Sequence, residues 1–300
     1  MNIIAIIIAR NGSSRVPKKS LLELSGKPLI WHMIRITKKI NFITDICLAT
    51  SDLKEDDSLA QVANEENINL YRGDSQKVLD RIYNAAVFTK ADVVVYIGGD
   101  CPLLDPGLVS DSIKLFLNLK CDYLSNYNPP TFPGGQDINI ISFKALKEAF
   151  QKAVSPSQRI HAFSYLTFHS NEFKINNFNN PNSFSEIDTY HWYIDYMDDI
   201  IFIKKIYEKL YGVSEYISMQ NVLDLISEDE EIKELNNKLI KPKVKHSFFS
   251  SPSIMTDITN DIIYLNDEAN KSIINNDFER AEELFYEIAC ITSKLSNKSF

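Results

Sequence analysis

Residues 3–9 form an unbroken apolar, β-branched run, the pattern of a central strand buried on both faces. The period then changes. From Lys27 onward Leu29, Met33, Ile36 and Ile40 recur at helical spacing, with Pro28 suited to a first turn. The alternation repeats as a strand over 44–50, a helix over 59–66, a strand ending at 70–72 and a helix over 78–88. A further strand over 92–97 ends at Gly98-Gly99-Asp100. This β-α-β-α-β-α-β order predicts an α/β fold built on a doubly wound, mostly parallel sheet with right-handed crossovers. Ligands of such sheets bind outside the carboxyl ends of the strands, which directs attention to the loops 10–19 and 98–105.

Past Lys120 the pattern loosens. Segments CDYLSN and DINIIS read as strands flanking the Pro/Gly loop 129–135, which predicts an antiparallel insertion or lid. A strand-to-helix step is expected over 191–211. All nine glycines fall at or before Gly212, and the remaining 88 residues read as helices over 222–239 and 277–293, joined by a Ser/Pro-containing stretch, 241–253. The composition shift predicts two units: 1–212 as the alternating α/β domain, which the resemblance described below makes the catalytic one, and 213–300 as a helical C-terminal extension. In the last helix Leu284, Ile288 and Ile291, with Phe285 beside them, form a stripe that must be buried.

Composition narrows the functional classes. The chain is 44% hydrophobic and 24% charged, as expected for a globular protein with a sizeable core. No apolar run approaches the ~18 residues that span a bilayer, and the opening run lacks the basic flank of a signal peptide. Cys47, Cys101, Cys121 and Cys290 lie far apart without a CxxC pair, so neither a disulfide framework nor a zinc site is expected, and a reducing cytoplasm is. Net charge is −8, yet residues 1–40 hold eight Lys or Arg and one acid, Glu23. A basic N-terminal window on an acidic chain argues against nucleic acid as a partner, which wants a basic stripe over the whole domain. It suits a small polyanion held by Arg10, Arg15 and Lys19.

The loop ARNGSSRVPKKSL (9–21) is neither a P-loop nor a dinucleotide fingerprint, because GxxxxGK[ST] and GxGxxG both fail. It nevertheless offers a flexible glycine, two hydroxyls and backbone amides. Arg10 and Arg15 add bidentate forks, and Lys18 or Lys19 a mobile point charge. That mixture fits a triphosphate. Gly99-Asp100 sits at a strand end, where one carboxylate together with phosphate oxygens can hold Mg²⁺.

These segments resemble the signature of the sugar-acid cytidylyltransferases, in particular the spore-coat polysaccharide cytidylyltransferase-like branch, with the CMP-ketodeoxyoctonate and CMP-acylneuraminate synthetases as relatives. The resemblance rests on Ala9-Arg10, Gly12-Ser13-Ser14, Arg15-Val16-Pro17-Lys18-Lys19 and Gly26-Lys27-Pro28-Leu29-Ile30. It continues through Tyr71-Arg72-Gly73, Val78-Leu79-Asp80-Arg81 and Gly99-Asp100-Cys101-Pro102-Leu103-Leu104-Asp105-Pro106. Asp122-Tyr123 with Ser125-Asn126, then Thr131-Phe132-Pro133-x-Gly135-x-Asp137, follow in order, so the match is collinear from 3 to about 210. It implies a nucleotide-diphospho-sugar transferase-like fold and a dimer. It also implies Mg²⁺-dependent CMP transfer from CTP to a small acidic acceptor with release of pyrophosphate, by one metal ion or two.

Carried over residue by residue, the resemblance makes Arg10, Arg15 and Lys19 catalytic and Asp100 a metal ligand. Lys19, not Lys18, takes the phosphate-binding position. Ala9, Gly12, Ser13, Ser14, Arg72, Asp80, Arg81, Gly99 and Asp137 would bind substrate. Asp195, in a late strand-to-helix step, would be a second metal ligand or a helix N-cap. His161 would contact the acceptor, act as a base, or cap a helix. Cys101 reads as a small buried residue. After Asp137 the branch's Val-Glu is Ile138-Asn139, and after His161 its Val-Thr-Pro is Ala162-Phe163-Ser164. Both departures fall in the acceptor half, so the attacking group is either an anomeric hydroxyl of a sugar acid or a phosphate or phosphonate oxygen. A glycosyltransferase would usually carry Asp-x-Asp; here the loop reads Asp100-Cys101-Pro102.

Overall fold

The computed structural model describes residues 1–13, 15–127, 129–181, 190–239 and 252–296. Ser14 and the stretch 241–251 therefore lie outside the described residues. Nine strands and twelve α-helices are resolved among them: β1 (Ile3–Ile8), β2 (Glu23–Leu24), β3 (Lys27–Pro28), α1 (Leu29–Thr37), β4 (Asp45–Ser51), α2 (Asp57–Glu65), β5 (Asn69–Gly73), α3 (Val78–Phe88), β6 (Val93–Gly98) and α4 (Pro106–Leu119) come first. They are followed by β7 (Tyr123–Ser125), β8 (Asn139–Ser142), α5 (Phe143–Lys152), α6 (Pro156–Ile160), α7 (Ser164–Phe168), β9 (Ile175–Asn177), α8 (Met197–Leu210), α9 (Met219–Glu228), α10 (Glu230–Leu239), α11 (Pro252–Ile274) and α12 (Phe278–Ser296).

Seven strands make one sheet in the order β5-β4-β1-β6-β8-β7-β9. β1 pairs in parallel with β4 and β6, and β4 with β5. Only β8 runs against its neighbours β6 and β7. The antiparallel element expected near 129–135 is thus hydrogen-bonded into the sheet itself. The strand period separates two cores: Ile3, Ala5 and Ile7 face one, Ile4 and Ile6 the other. Leu29 and Met33 of α1, Val109 of α4 and Phe202 of α8 fill the first core. Leu79 of α3, Leu146 of α5 and Leu166 of α7 fill the second. Helices on both faces make the sheet doubly wound.

Several elements differ from the sequence pattern. The expected strand near 191 is only an isolated bridge between Gly134 and His191. α4 begins where Pro106 occupies the first turn and the Asp105 carboxylate accepts from the Gly107 amide at 2.7 Å. The single helix expected over 222–239 is two, because the Asp229 side chain accepts from the Ile232 amide and restarts the helix.

The chain past Gly212 packs in two places. α9 and α10 enter the first sheet core through Val222, Ile226, Ile232 and Leu239, and Trp192 Nε1 donates to Asn236 Oδ1 at 3.0 Å. α11 and α12 form a helical hairpin with a core of its own, Ile258, Leu265, Ala269, Leu284 and Ile291, against Phe168 of α7. The stripe expected in the last helix is buried there, except that Ile288 is half-buried and Phe285 points outward, 42% exposed.

Candidate active site

The first strand delivers its loop against two others. Gly99 donates its amide to the Ile8 carbonyl at 2.9 Å, and a Cβ at Gly99 would stand 2.7 Å from both that oxygen and Ala9 Cβ. Only glycine lets the ends of β1 and β6 approach so closely. On the other side Asp56, fully buried, accepts from the Asn11 amide at 2.7 Å and from the Ser51 amide and hydroxyl. Asn11 Nδ2 in turn donates to the Glu55 carbonyl at 2.7 Å. The loop is pinned before its cationic residues begin.

Those residues meet two carboxylates. Lys19 Nζ donates to Asp100 Oδ2 at 2.6 Å and to the Ile194 carbonyl at 2.7 Å, and lies 3.9 Å from Asp195 Oδ1. Arg15 Nη2 donates to Asp195 Oδ1 at 3.0 Å, with its guanidinium over the Tyr196 ring. Asp195 turns its carboxylate to these cations, so it does not act as the helix cap. That work falls to Asp199, whose Oδ2 accepts from the Asp195 and Tyr196 amides at 2.7 Å each. Burial would push the Asp199 carboxyl up, but nearby His191 and the two amides hold it below the usual range. The Ile194 amide also donates to the Asp100 carbonyl, so the two carboxylate loops are tied to each other.

Asp137, half-buried, is electrostatically coupled to Asp100. Burial and then the Asp100 charge raise its carboxyl to about 6, against hydrogen bonds from Tyr127 and the Gly135 amide. Cys101 is buried, with its thiol 3.6 Å from Asp100 Oδ1, and burial pushes its pKa well up.

A second cationic pair lies across the loop. Arg10 Nη1 and Arg81 Nη1 both donate to the Ser75 carbonyl, at 3.0 and 2.8 Å, and Arg81 also reaches the Asp74 carbonyl. Arg81 is 1% exposed; burial and then Arg10 lower its pKa, although a guanidinium stays charged. The remaining expected site residues are used locally. Ser13 Oγ accepts from the Val16 amide, Ala9 is buried under Gly99, and a Cβ at Gly12 would meet Glu55. Arg72 donates to the Ser51 and Leu53 carbonyls and to Asp57, so it braces the β4–α2 connection. Asp80 accepts from Arg159 at 2.9 Å, and His161 sits 3.1 Å from Asp257 of α11. Asn139, which replaces the branch's acid, is buried and accepts from the Tyr123 hydroxyl inside the sheet.

Two carboxylates sharing one ammonium form a hard-oxygen site for a cation. Mg²⁺ is usually held by one or two carboxylates plus phosphate oxygens and water, so this donor set fits it. Among the described residues no cluster of three or more His, Cys, Asp or Glu could hold a metal by protein ligands alone. The reading of residue types missed Asp56 and Asp199. The four-residue spacing from Asp195 to Asp199 was the available signal for the second; nothing local marks the first.

A cytidylyltransferase family model matches residues 4–243. An uncharacterized protein of Methanocaldococcus jannaschii is 31% identical over 80% of this chain and 96% of its own. The spore coat polysaccharide biosynthesis protein SpsF of Bacillus subtilis is 26% identical over 77% of this chain and 96% of its own. The 3-deoxy-manno-octulosonate cytidylyltransferase of Trichlorobacter lovleyi is 36% identical, but over 39% of this chain and 46% of its own. Among solved structures, a cytidylyltransferase from Leptospira borgpetersenii superposes with a TM-score of 0.72 at 25% identity, covering 79% of this chain and 98% of that one.

Proposed function

We infer the reaction from the family of this chain, which belongs to the cytidylyltransferases. The reading is CMP transfer from CTP to an acidic sugar with release of pyrophosphate, a step in making surface-glycan precursors. Its Mg²⁺ dependence, cytoplasmic location and homodimeric state are parts of the same proposal. No helix among the described residues is long and apolar enough to cross a membrane. The names of the relatives, one a spore coat polysaccharide protein and one an octulosonate cytidylyltransferase, support the acceptor class.

One observation carries the reading: Lys19, Arg15, Asp100 and Asp195 converge at the carboxyl ends of β1 and β6. An acceptor oxygen attacks the α-phosphorus in line as the bond to pyrophosphate breaks. Arg10, Arg15 and Lys19 neutralise the triphosphate, and the pinned loop holds it in place, so positioning and charge supply most of the acceleration. Asp100 and Asp195 would hold Mg²⁺, which when bound supplies further charge neutralisation at the phosphates. Without substrate, Lys19 itself balances the two carboxylates.

The test offers each of the four nucleoside triphosphates with Mg²⁺ and a panel of acidic sugars, phosphates and phosphonates, and follows pyrophosphate. CTP with an acidic sugar should release it, EDTA should abolish release, and Asp100→Asn should lower the rate at least ~10²-fold. Turnover only with a phosphate or phosphonate acceptor would reject the sugar acid while keeping the transfer. Full activity of Asp100→Asn would remove the carboxylate from the site.

A further inference from the structure

On the first face of the sheet, away from the carboxylate cluster, a cavity of about 330 Å³ lies between α1, α8 and the chain that leaves α8. Its walls are aromatic. His32 meets Trp31, Tyr207 and Tyr211 edge-on at 5.0, 4.9 and 5.2 Å, and Tyr207 stacks on Tyr211. His32 is fixed, because its Nε2 hydrogen-bonds the Leu24 carbonyl at 2.7 Å. Burial keeps its pKa below the usual value, so the ring is a neutral wall. Two cations and one carboxylate, Glu215, stand at the rim. Arg35 is 3.6 Å from Glu66 and lies over the Trp31 ring, and Lys39 pairs with Glu215 at 2.7 Å. Both cations are about half exposed; Arg35 holds Glu66 only at 3.6 Å while Lys38 pairs with that carboxylate at 2.7 Å, and Glu215 is itself exposed, so each cation can turn to another anion.

We propose that this cavity is a second ligand site, which takes a planar aromatic ring carrying an acidic group. The ring lies among Trp31, Tyr207 and Tyr211, and the acid meets Arg35 and Lys39. Edge and face contacts with rings suit a flat π-system better than an aliphatic chain, and the rim charges fix its orientation. The cavity also approaches the carboxylate cluster. Pro102, two residues past Asp100, lines the cavity, and its carbonyl accepts from the Tyr207 hydroxyl at 3.0 Å.

The two tryptophans of the chain make the site directly observable, since Trp31 lines it and Trp192 is fully buried elsewhere. Full-length protein labelled with 5-fluorotryptophan should give two fluorine resonances, assigned with Trp31→Phe. Naphthalene-2-carboxylate should shift the Trp31 resonance saturably and leave Trp192 in place. Tyr211→Ala should weaken binding roughly three- to tenfold through loss of one ring. The double variant Arg35→Gln/Lys39→Gln should weaken it by a similar factor and leave the neutral naphthalene-2-methanol unaffected. CMP shifting the same resonance would support the site and make the natural ring a nucleotide's; silence from CMP alongside naphthoate binding would support it and make the ligand an aromatic carboxylate. Three results overturn the proposal: an unmoved Trp31 resonance, equal binding of the neutral and anionic probes, or a resonance that follows protein concentration instead of probe, which would show a second copy covering the cavity.

Discussion

Lys18 and Lys19 are neighbours with opposite surroundings. Lys18 is exposed, with a positive φ of 54°, while Lys19 is drawn inward between Asp100 and the Ile194 carbonyl. Lys19→Ala leaves two facing carboxylates without their shared cation and, on the proposed function, takes one charge from the triphosphate, so kcat/KM should fall ~10²-fold or more. Lys18→Ala should change it less than about threefold. Steady-state kinetics on the two variants decides, and the reverse ranking would place the wrong lysine in the site. Gly99 gives a second prediction at this scale. A methyl group there has two backbone-anchored neighbours at 2.7 Å, so Gly99→Ala should cost about 1–3 kcal/mol by denaturant unfolding and separate the ends of β1 and β6. Of the residues expected at the site, the structure brings together Arg15, Lys19, Asp100 and Asp195, whose chemistry shows in their type and loop position. Arg72, Asp80 and His161 have suitable types, but each is held by a partner distant in sequence, and such pairing has no local signature. Asp56 and Asp199 work through burial and backbone amides, which residue type does not reveal.

At the scale of elements, long continuous strands and helices were readable because burial on one or two faces imposes a period. β7 and β9 are three residues each, too short to carry one. The insertion of β8 between β6 and β7 depends on contacts between distant segments. α11 was hidden for another reason: it docks through polar groups that look like surface. Asp261 accepts from Ser155 Oγ at 2.7 Å and from the Ser157 amide and hydroxyl, and Glu287 accepts from Gln158 and lies 3.1 Å from His169. Burial alone would lower the His169 pKa, but Glu287 outweighs it and holds it above the free value. Burial raises Asp261 against its three donors. Both groups thus bind their protons more tightly when the hairpin is docked, so docking weakens as pH rises. The Asp261 contribution is lost in the acid range above its free pKa. The His169 contribution is complete below ~6.5 and lost as pH passes the raised value. Hydrogen-exchange protection factors, corrected for intrinsic rates, should therefore fall in α11 and α12 between pH 6 and 8 while those in β1 hold. His169→Gln should flatten that fall; a flat wild-type profile would show that the pair does not govern docking.

For the whole molecule, the packing separates two truncations that composition would merge. The last glycine marks a change in residue usage at Gly212, but the core continues through α9 and α10 to Leu239, and the family match runs to residue 243. Cutting after Gly212 removes Val222, Ile226, Ile232 and Leu239 from the sheet core and orphans the Trp192 indole, which bonds Asn236. At ~2–5 kcal/mol for each large apolar side chain lost from a core, this should exceed the stability of an ordinary domain, and the product should be insoluble or molten. Cutting after Leu239 instead removes α11 and α12, whose apolar residues mostly satisfy one another. What it uncovers is a largely polar face on α6 and α7, with Phe168 and Val154 as apolar residues, and water can solvate the freed Ser155, Ser157, Gln158 and His169. The 1–239 fragment should therefore remain cooperatively folded and keep its CTP affinity within about threefold by calorimetry. Sedimentation of both this fragment and the full chain then tests the proposed homodimer. A dimer of full chains and a monomer of the fragment would assign assembly to the hairpin. A folded fragment that no longer binds CTP would mean that α6, reached from α11 and joined to α3 through Arg159 and Asp80, must be held in place for the proposed nucleotide site to form.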